Sequence, residues 1–277
     1  MRNISRRTLI RILLGATAAA VLPVRWTIRR VRGAVSRTEA RFYRKLCVLL
    51  VLGASLALAP PACKARSVQE PVVAGAFYPA DPSQLREMVS SFISRAGSPQ
   101  VRGEILGLVA PHAGYVYSGP AAGHAYREIK GRRFDVVVVI APSHTSPMAG
   151  VSVLDMDAYR TPLGEVIIDR EAVGTLMERA QWIRHVPALF AREHSMEVHL
   201  PFLQVALEPG FRLVPVVMGS PSPGLAAAFA DVLASAFRGR SVLYIASSDM
   251  SHYLPYDQAR EMDGRTLEYI AGGEIDT

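Results

Sequence analysis

Asp135-Val136-Val137-Val138-Val139-Ile140-Ala141-Pro142-Ser143-His144 joins an apolar run to an abruptly polar end. The run is β-branched at five successive positions. Branching at Cβ suits an extended backbone, and an unbroken apolar run suits a strand covered on both faces. Three further runs resemble it, at residues 105–110, 213–218 and 241–246. Pro215 lies inside the second of these and brings no N–H, so that strand is expected at a sheet edge or a bulge. Helical patterns at 82–96, 121–129, 170–180, 198–207 and 224–237 fall between the strands. Residues 150–154 and 164–168 read as a hairpin-like pair. This alternation predicts an α/β fold, a three-layer sandwich around a central, largely parallel or mixed sheet. No Gly-x-Gly-x-x-Gly follows the first strand and there is no phosphate loop, so the usual nucleotide sites are unsupported.

The formal charge of +7 divides unevenly along the chain. Residues 1–68 carry 14 Lys/Arg and a single acid, Glu39, whereas residues 69–277 carry 17 Lys/Arg against 23 Asp/Glu, a net of −6. The later part shows no basic, aromatic-studded face for phosphates, which argues against nucleic acid as a partner. Both cysteines, Cys47 and Cys63, also fall in the early segment. A disulfide framework or a cysteine metal site is thereby excluded from the later part.

Residues 1–68 read as address, with a short polar linker at the end. Ser5-Arg6-Arg7-Thr8-Leu9-Ile10-Arg11 resembles a twin-arginine export motif ahead of the apolar stretch 12–24. A second basic cluster, Arg41-Phe42-Tyr43-Arg44-Lys45, precedes the apolar stretch 46–59. Neither stretch reaches the roughly 20 residues that span a bilayer comfortably. A start site placed upstream of the true one, or a genuine anchor, would each explain the tandem. Cys63 after Pro60-Pro61-Ala62 is a candidate for lipid attachment, although two prolines make a poor lipobox. The expectation is export to a bacterial cell envelope or periplasm, with membrane contact only through this segment. Residues 69–277 are expected to form one domain.

The polar residues gather where the apolar runs stop. Run 105–110 ends in Pro111-His112-Ala113-Gly114-Tyr115, run 136–141 in Pro142-Ser143-His144-Thr145, and run 241–246 in Ser247-Ser248-Asp249-Met250-Ser251-His252-Tyr253. Open α/β sheets bind ligands at the carboxyl ends of their strands. A fourth group, Glu193-His194-Ser195-Met196-Glu197-Val198-His199, is expected to open a helix that Ser195 would cap. On that helix His194 and His199 point about 140° apart, so they are not both direct ligands from one face. A lone histidine at a strand end is usually structural. Two of them, with the other two clusters, are harder to dismiss. His124 reads as a structural helix residue and His185 as a solvated loop residue. Tyr115 and Tyr117 fit either core or pocket wall.

Neutral imidazoles suit iron, copper, zinc or nickel. His112 and His144 with one oxygen ligand leave coordination positions open, as catalytic sites require. Asp249 and Glu193 would orient imidazole N–H groups. His194 or His199 would serve as general acid or base, with Asp249 and His252 beside them.

These residues carry a resemblance. Ala74-Gly75-Ala76-Phe77-Tyr78-Pro79-Ala80-Asp81, the Pro111–Tyr115 and Pro142–His144 motifs, the Glu193–His199 segment and Ser247–Tyr253 together resemble the Memo family. Its prokaryotic members are called AmmeMemoRadiSam system protein B. The resemblance implies a fold similar to class III (LigB-type) non-haem iron extradiol dioxygenases. It also implies a metal, reported as iron or copper, on His112, His144 and position 251, with His194 lining the pocket. Position 251 is a cysteine in the animal member and Ser251 here, and a neutral hydroxyl is a weaker ligand than a thiolate. The family usually continues some dozens of residues past this motif, so a C-terminal truncation is expected. The family name implies association with AMMECR-type and radical-SAM proteins.

Three functions fit. The first is a metal-dependent oxidoreductase on a small substrate, iron first, with copper or zinc as alternatives. The second is a non-catalytic binder of metal and a small-molecule or peptide ligand. The third is a zinc-dependent hydrolase.

Overall fold

A computed structural model describes residues 66–220 and 222–273. Of the segment 1–68 expected to be export signal, anchor and linker, residues 1–65, with the lipidation candidate Cys63, lie outside the described residues, whereas Ser67 and Val68 already take part in the fold. Strands β1 (Val68–Gln69), β2 (Gly107–Ala110), β3 (Val136–Pro142), β4 (Val151–Val153), β5 (Ala158–Thr161), β6 (Gly164–Ile167), β7 (Ile183–Arg184), β8 (Arg212–Met218) and β9 (Val242–Ser247) alternate with helices. The helices are α1 (Pro82–Arg95), α2 (Tyr115–Arg127), α3 (Arg170–Arg179), α4 (His199–Ala206), α5 (Pro223–Ala236) and α6 (Tyr256–Gly272).

The main sheet runs β2-β9-β3-β8-β4-β7. Its first four strands are mutually parallel, and β4 lies antiparallel to β8. α1, α2 and α4 pack together, as do α3 and α5. The α/β sandwich with a mostly parallel sheet is therefore as expected.

The β-branched run becomes β3 at the middle of the sheet, with Val136 to Val139 fully buried. Each such side chain contributes roughly 1.5–3 kcal/mol of transfer free energy. Helix starts follow local chemistry. The Asp81 carboxylate accepts the Gln84 N–H ahead of Pro82, and the Asp169 carboxylate accepts the Ala172 N–H. Leu85, Val89 and Ile93 then form the buried stripe of α1 at helical spacing.

Four local expectations are corrected. Pro215 sits in β8, an interior strand, without a bulge. Its carbonyl accepts Leu154 N–H at 3.2 Å, so its proton-free nitrogen faces the point where β4 has ended, and the β3 ladder stays whole. Residues 150–154 and 164–168 do not pair. β6 turns back on β5 in a separate three-stranded sheet with β1, and β4 joins the main sheet. α2 begins at Tyr115, six residues before the expected start, with Pro120 inside it. The proline leaves the carbonyl one turn earlier without its donor, and Val116 there is exposed. Finally, Glu193–Val198 is turn-like, α4 starts only at His199, and Ser195 caps nothing: its hydroxyl donates to Pro142 O at 2.7 Å.

The carboxyl ends of β2, β3 and β9 thus lie side by side and bring their polar tails together. α6 follows, with none of its residues buried.

Candidate metal centre

His112 stands just beyond β2, His144 just beyond β3, and His194 in the turn before α4. One ring nitrogen from each lies within 4.8 Å of the other two. The rings of His144 and His194 stack at 4.7 Å, while the His112 ring meets both nearly edge-on at 5.2 and 5.7 Å.

Hydrogen bonds set the orientation of two rings. Ser247, the last residue of β9, donates its single hydroxyl proton to Ser195 O at 2.7 Å. Its oxygen then has only lone pairs to offer His112 Nδ1, 2.6 Å away. His112 must therefore donate from Nδ1 and keep a bare lone pair at Nε2. Glu193 fixes His144 likewise. Its carboxylate lies 2.9 Å from His144 Nδ1 and accepts the backbone N–H groups of His144, His194 and Ser195 at 2.6–3.0 Å. Burial raises the Glu193 carboxyl's pKa, yet these donors outweigh it and hold the group below its usual range. His144 in turn keeps Nε2 for the pocket.

Asp249 holds the loop after β2, accepting His112 and Ala113 N–H at 2.7 and 3.2 Å. Its other oxygen sits 3.7 Å from His112 Nε2. With the His112 proton on Nδ1, both facing atoms are lone-pair donors, and a cation is what would satisfy them together. Burial, reinforced by the His144 and His194 rings, lowers His112 to a pKa of about 4, against a weaker upward pull from Asp249. Burial also lowers His194, opposed by Glu193. Two hydroxyls on the loops that follow β3 and β9, Thr145 Oγ1 and Ser251 Oγ, are buried with no hydrogen-bond partner among the described residues. Three imidazoles and a nearby carboxylate fit a divalent transition metal. The group is open to solvent on the His144 side, whose side chain is 45% exposed.

The other candidates fall as follows. His252 stands at the rim, Nε2 3.6 Å from Asp249 Oδ2 and half exposed. Ser251 lies on the adjoining loop, its N–H bound to Asp263. His199 is outside the three-histidine group. It is sealed in the core with Nδ1 2.8 Å from Tyr126 OH, and burial drives its pKa down to about 3. A ring with 1% exposure reaches no substrate, so the acid–base role considered for it has no geometric support.

Two contributors escape sequence reading. Ser247 fixes the His112 tautomer, and Phe77 packs on the His194 ring at 4.7 Å. The Val72–Tyr78 strap that carries Phe77 is held by Glu197, a fully buried carboxylate that accepts Val72 N–H, Val73 N–H, Tyr78 OH and Tyr159 OH. The neighbouring Phe77 carbonyl accepts Tyr115 N–H at 2.8 Å, which fastens the strap to the start of α2. In the sequence Ser247 is visible only as one of several polar residues ending its strand, and its pairing with His112 needs the strand order that sets it opposite Ala110.

Fold and centre together define an α/β sandwich protein with a three-histidine pocket at the carboxyl edge of its sheet. The family described as Memo-like protein matches residues 69–276. A MEMO1 family protein of Methanothermobacter thermautotrophicus is 39% identical over 215 residues, covering 73% of this chain and 76% of the relative. One from Ignicoccus hospitalis is 38% identical over 214 residues, with 73% and 75% covered. One from Nitrosopumilus maritimus is 32% identical over 213 residues, with 76% and 78% covered. The chain belongs to the Memo family. None of these three relatives is bacterial, and they lend the expected bacterial envelope no support.

Proposed function

We propose that the His112–His144–His194 pocket holds a divalent transition metal, iron in first place with copper or zinc as alternatives, and acts on a small organic substrate as a dioxygenase-like oxidoreductase. The observation that carries this reading is the convergence of three ring nitrogens within 4.8 Å, two of them with Nδ1 already committed to fixed partners. A metal bound there supplies Lewis acidity and, for iron or copper, redox capacity. The chain's own groups do the rest. Ser247 and Glu193 aim the rings, Phe77 covers one side of His194, and Asp249 sets its carboxylate beside His112 Nε2. His252, half exposed at the rim, is placed to exchange a proton with solvent through either ring nitrogen.

Ser251 favours a second reading, a non-catalytic metal or ligand binder, because a neutral hydroxyl stands where the family resemblance implies a thiolate. A zinc-dependent hydrolase is the third. Export with tethering by residues 1–68, and association with AMMECR-type and radical-SAM proteins, belong to the same proposal.

The test is metal content after purification from iron-replete culture. The native chain is expected to carry close to one ion, and His112→Ala with His144→Ala nearly none. Equal metal in both, or none in either, sinks the metal reading. Turnover of an aromatic substrate panel by the iron-loaded chain separates enzyme from binder. Activity restored by zinc and not by ferrous iron points to the hydrolase.

A further inference from the structure

The edge of the sheet opposite the histidines has a distinct charge. β2, β3, β8 and β9 run parallel, so the loops that lead into them share the amino edge. Those loops are tied to one another. Arg132 Nη1 donates to Gly103 O at 2.9 Å, Glu208 N–H to Arg132 O at 3.0 Å, Arg212 N–H to Asp135 O at 3.0 Å and Asp135 N–H to Ser241 O at 2.9 Å. Residues 102–104, 130–135, 208–212 and 238–240 together hold seven Lys/Arg and three Asp/Glu. The rest of residues 69–277 holds ten Lys/Arg and 20 Asp/Glu. Positive charge is thus concentrated on one edge of an otherwise acidic domain. Arg240 is paired with Asp169 at 2.7 Å. Arg102, Lys130, Arg132, Arg133, Arg212 and Arg238 have no carboxylate partner among the described residues, and all but Arg132 are exposed.

The described chain begins at this same edge. Ser67 donates from N–H and hydroxyl to Asp157 at 2.7 and 2.9 Å. The Asp157 carbonyl accepts Ile168 N–H, and Ile168 bridges to Leu213 at the foot of β8. Arg66 lines one groove with Asp169, Arg212 and Arg240. Before Arg66 lie 13 Lys/Arg, one acid and the apolar stretch 46–59. The six residues between that stretch and Arg66 span at most about 20 Å.

We propose that this amino edge is a docking surface for an anionic lipid bilayer, so that the histidine pocket faces away from the membrane. The proposal rests on the anchor reading of residues 1–68. Six free cations beside a short tether form the type of juxtamembrane polybasic surface that anionic headgroups attract. The length of β3 separates this edge from the pocket by about 23 Å, beyond the screening distance of about 8 Å at physiological salt. The aromatic residues of these loops, Phe134 and Phe211, pack against the core and are not presented for stacking nucleic-acid bases.

The test uses the full chain in nanodiscs, with Cys47 and Cys63 left in place and one dye attached to an azide side chain at Val101→p-azidophenylalanine or Tyr256→p-azidophenylalanine. The discs are neutral or contain about one third phosphatidylglycerol, and a headgroup nitroxide lipid is the quencher. The dye at 101 is expected to be quenched in anionic discs at low salt, and at least about threefold less in neutral discs or at high salt. The dye at 256 stays bright throughout. Exchange of Arg102, Lys130, Arg133 and Arg238 for glutamine is expected to abolish quenching at 101 with the circular dichroism melt unchanged. The milder pair Arg102→Gln and Arg238→Gln is expected to reduce it, and serves if the fourfold exchange unfolds the chain. Equal quenching at both sites, or no dependence on lipid charge, overturns the surface and leaves the anchor standing. Elution of the chain apart from the discs overturns both. Retardation of a DNA duplex that the glutamine exchange removes assigns the edge to nucleic acid and also overturns the proposal.

Discussion

His194 and His199 stand five residues apart in one segment, each close behind a glutamate, and the fold treats them oppositely. Glu193 and His194 belong to the open pocket. Glu197 and His199 belong to a sealed network in which the carboxylate accepts four donors and the ring meets Tyr126. Both carboxylates are buried and both collect backbone N–H groups. What separates them is access. The donors around Glu193 turn His144 toward solvent, whereas those around Glu197 pull the Val72–Tyr78 strap down and close the core. Residue type therefore says little about role here. The free ring nitrogen and its route to solvent decide it.

The comparison breaks first at Glu197. Glu197→Ala strands four buried donors, each costing on the order of 1 kcal/mol or more, so a loss of about 3–5 kcal/mol is expected. Thermal melting should fall by roughly 10 °C. His194→Ala should stay within about 1 kcal/mol of the native chain. Similar losses for both variants would erase the distinction between sealed and open halves.

Glu193→Gln sharpens the other side. A neutral amide orients His144 less firmly, and metal affinity is expected to drop about 10- to 100-fold, read by competition with a chelating dye. Ser247→Ala should act in the same direction, with the His112 Nδ1–H signal in nitrogen-15 spectra losing its tautomer bias. Unchanged affinity in both would remove the positioning roles assigned to these residues.

Ser251→Cys tests the departure from the family pattern. A thiolate at that loop position should raise zinc affinity by about tenfold, titrated calorimetrically. No gain would mean that the Ser251 side chain does not reach the three-histidine group.

The smallest effect per step is in pH. His199 has a folded pKa of about 3 against 6.5 in the unfolded chain, so the unfolded state binds more protons between those values. Stability should fall as pH drops from 6.5 toward 3, by about 1 kcal/mol per pH unit for this ring. Urea titrations of the metal-free chain should show that slope, and His199→Phe should flatten it. An identical slope in the variant would place the proton uptake elsewhere.

Much of this was legible beforehand. The β3 run announced a buried parallel strand because valine and isoleucine suit an extended backbone with both faces covered. His112, His144 and Asp249 could be placed at one edge because parallel strands deliver their carboxyl ends to the same side. The hairpin expectation failed because pattern alone does not reveal which strand a short segment pairs with, and β4 found β8. Pro215 misled for a similar reason. A proline is tolerated inside a sheet when its nitrogen faces the end of a neighbouring strand, and that neighbour's length is a tertiary fact.

The sequence by itself determined the sandwich, its helix starts at Asp81 and Asp169, and the histidines at the strand ends, because these depend on side-chain shape and local hydrogen bonding. Only the tertiary structure decided that His199 is sealed away from the pocket that the resemblance gave to His194, that Ser247 sets the His112 tautomer, and that the cations of four separate loops share one edge. Those outcomes rest on strand order and on the donors available to each buried carboxylate, which bring together residues up to 137 positions apart.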